Sequence, residues 1–151
     1  MKTSYEHLPK WLQQGVIEWN KTSIQLENGS CRIANSTSSS AARGGSYTIL
    51  FLDELAFVPA NVADEFFTSV YPTISSGLTT KVIICSTPNG MNMFYKFFTD
   101  AELGRNKYIP FSADWRCVPW RDEKWLQETL ANMGQLKFSQ EFDTDFIGSQ
   151  N

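Results

Sequence analysis

The sequence is poor in metal-binding side chains: one histidine, His7, and three cysteines, Cys31, Cys85 and Cys117, with no Cys-x-x-Cys pair. Zinc centres need clustered thiolate and imidazole ligands, so such a site is not expected. An odd number of widely spaced thiols fits reduced cytoplasmic cysteines better than a disulfide framework. No apolar run approaches the ~18 residues of a membrane helix, and no signal-peptide pattern opens the chain, so a soluble, cytoplasmic protein is expected. Positive charge is also short. Thirteen Lys and Arg against sixteen Asp and Glu leave a net charge of −3. That argues against a basic nucleic-acid groove over the whole chain, though not against a local one. Finally, no Gly-Lys dipeptide occurs, so the phosphate loop G-x-x-x-x-G-K-S/T is absent from these residues.

What is present suits one domain, or a large part of one. The 151 residues are 42% hydrophobic and 14% aromatic, enough to bury a core without disulfide or metal staples. Residues 4–13 read as a short helix or turn broken by Pro9. A β-meander follows. Asn28-Gly29 is a strong two-residue hairpin turn, which sets Leu26 opposite Cys31 and Ile24 opposite Ile33. A second turn at Lys21-Thr22 sets Trp19 opposite Ile24 and Ile17 opposite Leu26. Both registers place Ile17, Trp19, Ile24, Leu26, Cys31 and Ile33 on one face, which a one-residue slip would invert.

A small-residue, polar loop, residues 35–46, contains Arg43 and reads as a flexible linker. Beyond it, residues 47–52 form a continuous apolar run, as does 82–85. Such runs suit strands covered on both faces of a parallel sheet, and Cys85 would then be an inert core thiol. Val62, Phe66, Phe67, Val70 and Tyr71 recur at helical spacing between them. This predicts a helix over about 61–71, ended by Pro72 and Gly77. Strand, crossover helix, strand is a parallel βαβ unit. Further helices are expected along Met91, Phe94, Tyr95 and Phe98, from Asp122 through Met133, and over 135–142. Residues 108–111 could add an edge strand limited by Pro110. The fold class is α/β, a three-layer core preceded by an antiparallel meander.

The chemistry concentrates at strand ends, where open parallel sheets place their ligands. The first run ends in two adjacent carboxylates, Asp53 and Glu54. Four apolar residues followed by Asp-Glu is the pattern of a nucleotide-hydrolysing strand. One acid holds magnesium through water and the next polarises the attacking water. The plain alternative is that one acid caps the segment that follows. The second run stops at Ser86-Thr87-Pro88-Asn89-Gly90. Its hydroxyls and amide could bond a phosphate or a lytic water, or simply make a turn. Trp115, Trp120 and Trp125 with Arg116 and Arg121 could stack on bases. Core packing or an oligomer contact is the better reading of their irregular spacing. Lys21, Lys81, Lys96 and Lys107, like His7, read as surface residues, and Asp143 and Asp145 as solvated.

The stretches ILFLDELAF, PTISSGLTTKVIICSTPNGMNMFYKFF and EWNKTSIQLENGS resemble the ATPase domain of the large terminase subunit of tailed bacteriophages, over about residues 5–148. The resemblance implies a P-loop NTPase fold of RecA/ASCE-like type, here incomplete. Residues 1–148 would be a partial ATPase domain, and 149–151 the start of a linker. It implies that Asp53 is the magnesium-associated Walker B acid and Glu54 its catalytic partner. It makes Ser86, Thr87 and Pro88 the coupling motif, and Arg43, ten residues before Asp53, an arginine finger. ATP and Mg2+ are the implied cofactors of the complete domain, with none expected on this chain alone. The implied partners are double-stranded DNA, the portal, the small terminase subunit and further copies in a homo-oligomeric ring, with no membrane. The implied place is the host cytoplasm, at the procapsid portal. Phosphate loop and nuclease domain both lie outside the resemblance, so the expected function is that of a motor fragment inactive by itself. Two other functions compete: a non-catalytic assembly or DNA-contact module, and a metal-dependent nuclease using Asp53 and Glu54 with Asp114, Asp143 or Asp145. The scattered positions of the later acids disfavour the nuclease.

Overall fold

The computed structural model describes residues 2–38, 45–77 and 79–146. The chain divides into two units, residues 1–36 and 37–151.

The first unit opens with helix α1 (Lys2–Glu6) and a single 3-10 turn at Lys10–Leu12. Strands β1 (Val16–Trp19), β2 (Ser23–Leu26) and β3 (Cys31–Ile33) then form an antiparallel sheet in that order. Tyr5 meets Trp19 edge to face at 5.3 Å between ring centroids. The expected meander is present, but its register differs in two places. Trp19 does pair with Ile24, yet an irregularity between Val16 and Glu18 brings Val16, not Ile17, opposite Leu26. Between β2 and β3 the pairing is shifted by one residue, with Gln25 opposite Cys31 and Ile24 opposite Arg32.

The turn explains the shift. The Asn28 Oδ1 accepts from the Ser30 N–H at 3.0 Å, and Gly29 sits at φ 83°. Leu26 N–H donates to the Ser30 carbonyl at 2.9 Å. The connection is therefore a three-residue loop with glycine in the left-handed position, the commonest alternative to the two-residue turn. Because side chains alternate, one residue of slip sends Ile33 and Cys31 outward. Both are exposed, as is Ile17, while Ile24 is buried. The single six-residue apolar face does not form.

In the second unit, β4 (Ile49–Asp53) and β5 (Lys81–Cys85) pair in parallel, joined by helix α2 (Ala60–Ser76). This is the expected βαβ unit. Leu50, Leu52 and Ile84 face α2, which answers with Phe66, Phe67, Val70 and Ile74. Val70 has no exposed surface. Burying a side chain of that kind contributes about 1.5–3 kcal/mol. Residues 66, 70 and 74 continue one helical stripe through Pro72, so Pro72 does not end α2 as expected. The helix runs to its C-cap, Gly77. The proline costs a backbone hydrogen bond, and the seating of Ile74 helps to offset it.

The opposite face of the two strands is open among the described residues. Ile49 is 58% exposed, Phe51 56% and Ile83 47%. Cover on both sides, the three-layer arrangement, is not seen there. Cys85 lies on that face and is exposed, not a core thiol.

Helices α3 (Met93–Glu102), α4 (Glu123–Met133) and α5 (Gln135–Glu141) follow. The α3 helix meets α2 through Phe97 and Phe67, 5.0 Å apart between centroids. The N-cap of α4 is Asp122, whose side chain accepts from the Trp125 N–H, as the sequence leads one to expect. Residues 108–111 are not a strand. The Asn106 side chain accepts from the Tyr108 N–H in a local turn, and Ile109 and Phe111 project into solvent.

Candidate functional site

The rim of the parallel sheet is built by two strand ends in register, Asp53 opposite Cys85. At Glu54 the backbone turns sharply, with φ 54° and ψ 39° in the left-handed region. Holding a residue with a Cβ there costs about 1–2 kcal/mol. The chain continues directly into a 3-10 turn, Leu55–Phe57, whose Leu55 and Ala56 are buried. Their burial and the hydrogen bonds below offset the strain.

Those bonds come from the second strand end. The Ser86 Oγ accepts from the Ala56 N–H at 3.1 Å. It lies 3.4 Å from Glu54 Oε2 and 2.9 Å from the Thr87 carbonyl oxygen, either of which can take its proton. The Ala56 carbonyl accepts from Asn89 Nδ2 at 3.1 Å and from Asn92 Nδ2 at 2.7 Å. The same Asn92 amide reaches the Asn89 carbonyl at 2.8 Å, while its Oδ1 caps α3 through the Tyr95 N–H at 3.2 Å. Pro88 is fully buried, and its carbonyl accepts from Gln140 Nε2 of α5 at 2.7 Å. Gly90 takes φ 72° and lets the chain turn into α3.

Electrostatics at the rim register in the Cys85 thiol. Partial burial pushes its pKa up, and the negative charges of Asp53 and then Glu54 push it further. Both carboxylates thus act on one point beside the sheet end. Their oxygens are the hard donors that Mg2+ takes when it is shared with phosphate. They do not make a closed site: among the described residues no group of three or more His, Cys, Asp or Glu could hold a metal ion.

The other sequence-derived candidates fall as follows. Ser86, Thr87 and Pro88 stand next to the acids as one connected corner. Arg43 lies outside the described residues. The Asn89 amide is engaged by the protein's own backbone, not left pointing outward for a phosphate. Asp114 is held by Arg116, whose guanidinium bonds its Oδ2 at 2.8 Å and whose N–H bonds its Oδ1 at 2.8 Å. These bonds lower the Asp114 pKa. Asp143 is not simply solvated, because it accepts from Trp115 Nε1 at 3.1 Å. Trp115, Trp125, Phe138 and Phe142 pack into one aromatic cluster, with the Arg121 guanidinium 4.6 Å from the Trp125 ring. Two of the three tryptophans are thus structural, and Trp120 is exposed. Lys21, Lys81, Lys96, Lys107 and His7 are on the surface.

Asn92 and Gln140 carried no expected role at the site. Asn92 could be recognised as a helix cap, an Asn just before an apolar periodic stretch. Its second bond, to a carbonyl 36 residues earlier, leaves no local signal.

Residues 2–150 match the family described as "Terminase large subunit, T4likevirus-type, N-terminal". The chain is similar to the large terminase subunits of Thermus phage G20c and Thermus virus P23-45. Each is 33% identical over 124 residues, covering 72% of this chain and 24% of the relative. It is also similar to the large terminase subunit of Escherichia phage T5, 28% identical over 127 residues, covering 82% of this chain and 28% of that protein. The chain therefore spans about a quarter of the length of these relatives.

Proposed function

The chain belongs to the T4-like-virus type of terminase large subunit, N-terminal family, and from that premise we propose that it is part of an ATP-hydrolysing DNA-packaging motor. In this reading the sheet is the Walker B side of a P-loop nucleotide domain. The observation that carries it is the junction of the two strand ends: Glu54, beside Asp53, lies 3.4 Å from the Ser86 hydroxyl at the tip of the neighbouring parallel strand.

The roles follow from position. Asp53 would hold Mg2+ through water, and Glu54 would take a proton from the attacking water. When bound, ATP and Mg2+ supply the phosphoryl bond to be broken and the cation that balances its charge. Ser86, Thr87 and Pro88 would sense the state of Glu54, since Ser86 contacts it directly and Pro88 is tied to α5. Arg43 would serve as the arginine finger. Double-stranded DNA, the portal, the small subunit and a ring of copies are the proposed partners, at the procapsid in the host cytoplasm.

These residues contain no phosphate loop, so the isolated chain should not turn over ATP. The test pairs it with a polypeptide supplying G-x-x-x-x-G-K-S/T, whether encoded upstream or taken from another large terminase subunit. Phosphate release from Mg-ATP is then measured. Turnover should appear only in the pair, and Glu54→Gln should lower kcat about 10²–10⁴-fold. Turnover insensitive to both Glu54→Gln and Asp53→Asn would overturn the assignment. Absence of turnover in every pairing would favour a non-catalytic assembly role.

A further inference from the structure

Glu54 is not anchored by its own side chain alone. Its direction follows from the left-handed turn, and that turn is fixed two residues later at Ala56. Both peptide groups flanking Ala56 are gripped from the segment that follows β5: the N–H by Ser86, the carbonyl by Asn89 and Asn92. Asn92 is the shorter of the two bonds to that carbonyl. Its orientation is settled by its partners, because the Tyr95 N–H needs an acceptor while the Ala56 and Asn89 carbonyls need donors. One side chain thereby closes the first turn of α3 and holds the turn that carries Glu54.

We propose that Asn92 is a positioning residue for Glu54: with Asn89 it clamps the Ala56 carbonyl, fixes the left-handed turn, and makes the start of α3 move with the acid. The catalytic part of this inference rests on the reading of Glu54 given above. The clamp itself does not.

The separating variant is Asn92→Asp in the full 151-residue chain. Aspartate caps helices about as well as asparagine, so the bond to Tyr95 survives, but the shorter of the two bonds to the Ala56 carbonyl is lost and a carboxylate oxygen faces it instead, leaving Asn89 as its remaining donor. A residue serving α3 alone would tolerate this change. A clamp would not. Hydrogen exchange at the Ala56 and Phe57 amides should rise about ten-fold while the amides of α3 hold within roughly two-fold. Exchange at Ala56 and Phe57 that stays within roughly two-fold of wild type overturns the clamp. In the paired ATPase assay, kcat should fall about ten-fold with KM for ATP unchanged. An unchanged kcat alongside raised exchange overturns the positioning of Glu54. If the wild-type pair gives no turnover, the motor reading fails, and the exchange measurement still decides the clamp. Should Asn92→Asp not fold, Asn89→Ala removes the second donor without touching the cap. It should raise exchange at the same amides about three-fold, and no rise there would equally overturn the clamp.

Discussion

Pro72 lies thirteenth in the seventeen-residue helix α2, so its ring stands inside a helix that continues past it. A proline there leaves the Thr68 carbonyl without its usual donor four residues on, and the ring crowds the same carbonyl. The cost relative to alanine in a helix interior is about 3 kcal/mol. Replacing it frees the unfolded chain, which gives back about 0.4–1 kcal/mol. Pro72 is exposed and makes no part of the buried cluster, so little packing is lost. Pro72→Ala should therefore stabilise the second unit by about 2 kcal/mol, or an upward shift in Tm of about 6–12 °C. Thermal unfolding followed by far-UV circular dichroism reports it, since α2 and most other helical residues belong to that unit. A lower Tm would refute the reasoning. It would mean that the path of α2 is shaped by the proline and that a regular helix draws Ile74 off the sheet.

Two further outcomes follow from packing and charge. Phe138 is 1% exposed at the centre of the aromatic cluster. Phe138→Ala should cost about 3–5 kcal/mol in urea unfolding, with a red-shifted emission from Trp115 and Trp125; a loss under about 1 kcal/mol would contradict the packing. The hydrogen bonds from Arg116 depress the Asp114 pKa. Any stability this adds is present above the ordinary carboxylate pKa and disappears as pH falls through the depressed value. Arg116→Gln should move the Asp114 midpoint upward in a carboxyl NMR titration, and an unmoved midpoint would count against the pair.

Much of the architecture was legible because it follows local rules. The apolar stretches and helical stripe between residues 47 and 85 define the βαβ unit, and Asp122 marks the start of α4. The register of the hairpin was not legible, because Asn28-Gly29 serves a two-residue turn and a three-residue loop equally well. The choice rests on where Asn28 places its side chain. Unbroken apolar runs suggested strands covered on both sides, but apolar composition says what a surface tolerates, not what lies against it. At the site, the acids at the end of β4 could be found from hydrophobicity followed by charge. The Asn92 grip could not, since it forms only when residues 36 apart meet.

Ser86 has a single proton and two acceptors within reach. Rotation about its Cβ–Oγ bond redirects that proton from one acceptor to the other and leaves every backbone atom where it was. Such rotors reorient in picoseconds to nanoseconds. Glu54 can therefore be let go and recaptured by the swing of one hydroxyl, with no need to melt the surrounding corner.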